Sequence, residues 1–172
     1  MTLMQATRPL DPWRWLGWPA MMSLIATLLF SMPVRVFGLA LPQPVFPMAL
    51  AFAWAIIRPS LLAPFILLLL GLCLDAFWGG RMGLWALSLL APYAVLLMAR
   101  GEMTGQSRPM RVFWFVLATV MALGTGYLLA AMTTLTFPSL VAVLWQFVAT
   151  IVLYPFTERL IERFEDADVR FR

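Results

Sequence analysis

Histidine and lysine are absent from the 172-residue sequence, and cysteine occurs once. Without histidine there is no imidazole general base, no Ser-His arrangement and no His-ligated metal site. The single thiol, Cys73, closes no intrachain disulfide and builds no cysteine metal cluster. Lying within an apolar run, it reads as a small buried hydrophobe. Charge is scarce too: 12% of residues are charged, about half the roughly 25% of ordinary globular chains. All twelve basic residues are Arg, and the net charge is +4. On so apolar a chain this modest excess points to membrane topology and lipid headgroups, not to nucleic acid.

What fills the chain instead is hydrophobic sequence, 63% of it. The length is about one domain's worth, and a soluble domain of that size could not hide so much apolar surface. Disorder, collagen, coiled coil and a disulfide scaffold are excluded by the same composition. The expected class is an all-α integral membrane protein, a compact bundle of about six transmembrane helices.

Six apolar runs carry that expectation: residues 16–37, 45–57, 61–77, 84–99, 112–134 and 140–156. The first is too long for a signal-peptide core and is read as an uncleaved helix. The second, bounded by prolines, reaches only ~20 Å at about 1.5 Å per residue, short of the ~30 Å hydrocarbon core. Tilt, local thinning or burial behind other helices would accommodate it. A cytoplasmic head (1–15), a transmembrane domain (16–156) and a cytoplasmic tail (157–172) follow. With the N-terminus inside, ten Arg fall on cytoplasmic stretches and two, Arg35 and Arg81, outside. That is a strong positive-inside bias. A re-entrant hairpin of the second and third runs, giving four spans, would also leave both ends inside.

Asp75 is the only acidic residue within an apolar run. A carboxylate near hydrocarbon needs a partner or a wet cavity. It is either a proton or cation site, or an anchor for the Trp78-Gly79-Gly80-Arg81 turn, paired with Arg81. A lone acid with no His, Lys or second carboxylate at similar depth makes a poor relay, which favours the anchor. Gly79 and Gly83 have a helix-dimer spacing but straddle a loop, and no phosphate cradle is present.

In the fifth run Ala118, Ala122, Gly126 and Ala130 recur every four residues, with Gly124 alongside. Such a stripe lets another helix backbone approach closely. Gln146, mid-way along the sixth run, calls for an interhelical partner. In the tail, Arg159 with Glu162 and Arg163 with Asp166 are spaced for pairing along a helix. The tail is a short helix leaving the membrane or a docking stub for a cytoplasmic partner.

Ile57-Arg58-Pro59, then Gly71-Leu72-Cys73-Leu74-Asp75, then Gly79-Gly80-Arg81-Met82-Gly83-Leu84-Trp85-Ala86-Leu87 resemble the rod shape-determining MreD family. That family shows an Arg-Pro turn, a Gly-Leu-x-x-Asp helix end and a Gly-x-x-x-Gly turn into an Ala-Leu helix. Tyr154-Pro155 before a short charged tail is similar too. The specific part covers roughly residues 54–97, and Met82 and Trp85 depart from many relatives. The resemblance implies a non-enzymatic bacterial inner-membrane scaffold without a cofactor. It implies direct association with MreC and, through it, with MreB, RodA and the elongation-specific transpeptidase. It also implies a likeness to the substrate-binding subunits of energy-coupling-factor transporters. The alternative function is a small-molecule or lipid-binding transport subunit. Gln146, Thr119, Thr125 and Tyr127, and at greater distance Asp75, would be its polar groups, a sparse set for a polar solute.

Overall fold

The structure, a computed structural model, describes residues 13–31, 35–36, 39–40, 43–57, 60–103, 105–134 and 138–169. Arg58, Pro59, most of the head and residues 170–172 lie outside the described residues. The architecture is helical. A π-helical turn, Trp13–Gly17, leads into α1 (Trp18–Ser31). Then come α2 (Phe46–Ile57), α3 (Leu62–Trp78), α4 (Leu84–Met98), the short α5 (Arg100–Met103), α6 (Arg108–Thr134), α7 (Leu140–Ile151) and α8 (Tyr154–Val169). Between α1 and α2 a minimal antiparallel ladder pairs Arg35 with Ala40 and Val36 with Leu39.

Two expected elements differ in extent. The first helix ends at Ser31, not near residue 37. Pro33 follows, and a proline disfavours helical backbone in the residue before it. The last apolar run is two helices, because α7 stops at Ile151 and α8 starts at Tyr154. Pro155 has no N–H to give the Ile151 carbonyl, so the regular ladder cannot run through. The α6 segment and the stretch Leu140–Arg163 are each long and apolar enough to cross a membrane.

The short second helix is the centre of the molecule. Every residue from Pro47 to Ala55 in α2 is buried, and α2 touches α1, α3, α4, α6, α7 and α8. A helix apolar on all sides belongs in such a position. Its own polar ends are supplied by distant parts of the chain. The Val45 N–H donates to Thr150 Oγ1 at 3.2 Å, and Arg100 Nη2 reaches the Ile57 carbonyl at 3.5 Å. The Trp54 indole N–H donates to the Trp15 carbonyl at 3.2 Å, the partner a buried tryptophan requires. Phe52 meets Phe115 edge-on at 5.2 Å, and Phe115 meets Tyr154 at 5.5 Å. This aromatic column ties α2 to α6 and α8.

Around that centre α3 packs along α4, and α4 along α6. Large apolar side chains cover the outside: Trp18 and Leu29 on α1, Phe65 and Leu69 on α3, Leu128 and Met132 on α6, Val141 and Trp145 on α7. Several hydroxyls bond back onto their own helix. Thr27, Ser88, Thr119, Thr125 and Thr150 each donate to the carbonyl four residues back, at 2.7–2.8 Å.

Candidate functional site

The α3–α4 junction is built around one side chain. Gly79 ends α3 in a left-handed conformation, φ +65°, and its N–H turns back to the Asp75 carbonyl. The Gly80 N–H joins it at 3.0 Å. Gly83 opens α4 at φ +97° and offers no side chain to cap it. The Asp75 carboxylate supplies the missing cap from the neighbouring helix. Its Oδ2 accepts the Gly83 N–H at 2.7 Å and its Oδ1 accepts the Trp85 N–H at 3.0 Å. These are donors that a helix start leaves orphaned, and the negative charge sits at the positive end of the α4 dipole. Asp75 is 1% exposed. The Trp78 and Trp85 rings, 4.8 Å apart and edge to face, pack together beside it.

One turn earlier on the same face of α3 lies Gly71. A Cβ built there would meet the Ala86 nitrogen at 2.5 Å and the Trp85 carbonyl carbon at 2.9 Å. Gly71 and Asp75 therefore act together. Gly71 lets the two backbones touch, and Asp75 fixes the start of α4 at that contact. The carboxylate is occupied by main-chain donors two to four residues past the Trp78–Arg81 turn. Among the described residues Arg81 makes no ion pair with it.

The small-residue stripe on α6 divides between two surroundings. Ala118 and Ala122 are buried, and Ala130 is half-buried. A Cβ at Gly126 would lie 2.9 Å from Ser88 Oγ on α4. Gly124 faces the other way, and nothing lies within 4 Å of a Cβ placed there. It floors an open apolar groove of about 310 Å³ between α6 and α7, walled by Val120, Tyr127, Leu140, Leu144 and Phe147.

The remaining expected site residues are dispersed. Gln146 is half-buried on α7, and its carbonyl accepts from Thr150. Among the described residues its side chain makes no hydrogen bond to another helix. Tyr154 is buried and Pro155 exposed at the start of α8. Glu162 pairs with Arg108 at 3.1 Å across to α6, and Glu158 joins the same guanidinium at 3.4 Å. Thr157 and Ile161 are fully buried, so this part of the tail folds onto the bundle. The expected pairing of Arg163 with Asp166 involves a side chain, that of Asp166, outside the described residues.

Ser88, Thr150 and the α6–α7 groove carry no mark in the sequence. A lone serine in a run gives no signal, and a groove between two helices exists only once they are placed. Gly124, out of phase with the four-residue repeat, is the available hint. Chemically the arrangement positions helices. Thr119 and Thr125 donate to carbonyls of their own helix, α6. No group of three or more metal-binding side chains occurs among the described residues. Compared with protein-family models, curated proteins and solved structures, the chain matches none.

Proposed function

We propose that this chain is a non-enzymatic scaffold in the bacterial inner membrane. In this reading it spans the bilayer six times with both termini in the cytoplasm and serves the rod-elongation complex by binding MreC directly. MreB, RodA and the elongation-specific transpeptidase are reached through that contact. The observation that carries the reading is the engagement of Asp75. The one acid in an apolar run has both carboxylate oxygens on main-chain N–H groups. It holds a helix junction, an engagement that favours an anchor over a proton or cation site. The sequence resemblance supplies the complex, and the Arg distribution supplies the orientation. The apolar exterior agrees with a lipid surround, as does the back-bonding of Thr27, Ser88, Thr119, Thr125 and Thr150 onto their own helices, since lipid offers no hydrogen bonds.

In this mechanism the partner's single transmembrane helix lies in the α6–α7 groove, its backbone brought close at Gly124. The test is retention of an MreC-type partner on the tagged chain after mild detergent extraction. Gly124→Leu fills the groove floor and is expected to reduce the recovered partner at least tenfold at equal membrane level. Undiminished recovery with that variant removes the groove as the docking site. No recovery with the unsubstituted chain removes the scaffold reading.

A further inference from the structure

We propose that the outward side of α8 holds the phosphate of an anionic phospholipid of the cytoplasmic leaflet, between Arg159 and Arg163. The starting observation is how α8 sorts its charges. Tyr154, Thr157 and Ile161 are buried against the bundle, which fixes the inner side at helical spacing. Glu158 and Glu162 lie beside that inner side, and both reach Arg108 at the start of α6. Arg159 and Arg163 are exposed and stand roughly opposite the buried line, at about 3.6 residues per turn. Over its whole length the tail has more acids than arginines. Through its first turns, however, the acids turn inward and the arginines outward.

Sequence spacing offers Glu162 to Arg159, but Arg108 takes that carboxylate. Among the described residues neither Arg159 nor Arg163 makes an ion pair. Like charges four residues apart on a helix repel, and an anion between them relieves that repulsion. Four residues rise about 6 Å, a gap that one phosphate bridges by accepting from both guanidinium forks. The ion pairs also set the depth. Arg108 opens α6, which is long enough to cross a membrane, so the carboxylates that meet it put Arg159 at the rim of the apolar zone. Arg163 lies one turn further out. One turn inward Phe156 is exposed, and so is Val152 before it. From the membrane outward this side passes from apolar to cationic, the order of acyl chain and headgroup. The negative surface of the cytoplasmic leaflet supplies the complementary charge. The placement rests on the membrane-spanning reading with a cytoplasmic tail, not on any protein partner.

The test is lipid retention by the full chain in mild detergent, mixed with equal amounts of phosphatidylglycerol and phosphatidylcholine. Bound lipid is counted by native mass spectrometry, and an excess of phosphatidylglycerol is expected. An arginine near an anionic surface is worth about fivefold in binding. Arg159→Gln with Arg163→Gln should therefore cut that excess by about fivefold or more, at an unchanged thermal midpoint. Arg81→Gln, at an exposed position in the α3–α4 turn, removes one charge of the same kind from the other end of α3 and should leave the excess as it was. No excess with the unsubstituted chain overturns the proposal and leaves these arginines to water or to an acidic protein segment. An excess that survives the double substitution, or that falls as far with Arg81→Gln, overturns it too. Displacement of the lipid by an equal concentration of glycerol 3-phosphate would make the site one for free phosphate and overturn the lipid as its occupant. No MreC-type partner is present in this assay, so its failure leaves the scaffold reading standing, and failed partner recovery leaves the lipid site standing.

Discussion

At the level of single residues Asp75 is the most informative position. Asp75→Asn keeps the size and one acceptor oxygen, while Asp75→Leu leaves the Gly83 and Trp85 N–H groups unpaired. A hydrogen bond to a charged group contributes roughly 1.5–3 kcal/mol and a neutral one about 1. Asn should therefore retain much of the assembly and Leu should lose more, read as partner recovery and cell shape at matched membrane levels. Two variants equally inactive yet fully assembled would show that charge is the function, and the junction reading would fall. Gly71 gives a sharper contrast. Gly71→Ala drives a methyl into the α4 backbone, which cannot rotate aside, at a cost of about 1–3 kcal/mol. Gly124→Ala meets open space. Thermal unfolding in detergent should show a lowered midpoint for the first and little change for the second; equal midpoints would refute the close approach. Asp75 is legible in the sequence as an anchor, because a solitary acid in an apolar run must be met by donors. Which donors is not legible, since the Gly83 and Trp85 amides become free only when α4 begins where it does.

Among the helices, four of the six expected runs keep their place with ends shifted by a few residues. Hydropathy locates apolar segments well because it sums over many residues. Breaks depend on one residue and its context. Pro155 splits the last run, whereas Pro92 sits inside α4 without ending it. The stripe on α6 packs inward at Ala118 and Ala122, with Gly126 against Ser88 of α4. Gly126→Leu should overpack that contact by about 1–3 kcal/mol, and immunoblots of membrane fractions should show a reduced steady-state level. Normal accumulation would mean that the α4–α6 contact yields easily. Glu162 takes a partner that its sequence spacing does not offer, for a reason of geometry. Glu162 has Arg159 within reach along α8, but Arg108 approaches from the start of α6, and nothing local in the sequence announces a residue from another helix.

For the molecule as a whole, composition alone points to a lipid-facing exterior, because so broad a surface of Trp, Phe, Leu and Met is costly in water. The orientation is open to a direct check. Reporter fusions at Gln106, between α5 and α6, and at Arg172 should both register cytoplasm; a periplasmic signal at either reverses the assignment. Composition does not reveal which helix sits innermost. At about 1.5 Å per residue α2 is ~18 Å long, too short to hold a place across a ~30 Å core unaided. Both of its ends wait for residues made later. The Ile57 carbonyl is met by Arg100, 43 positions on, and the Val45 amide by Thr150, 105 positions on. During synthesis, then, the second helix to leave the ribosome is among the last to settle. Until α7 and α8 arrive, a half-made chain carries an undersized helix with an unsatisfied amide.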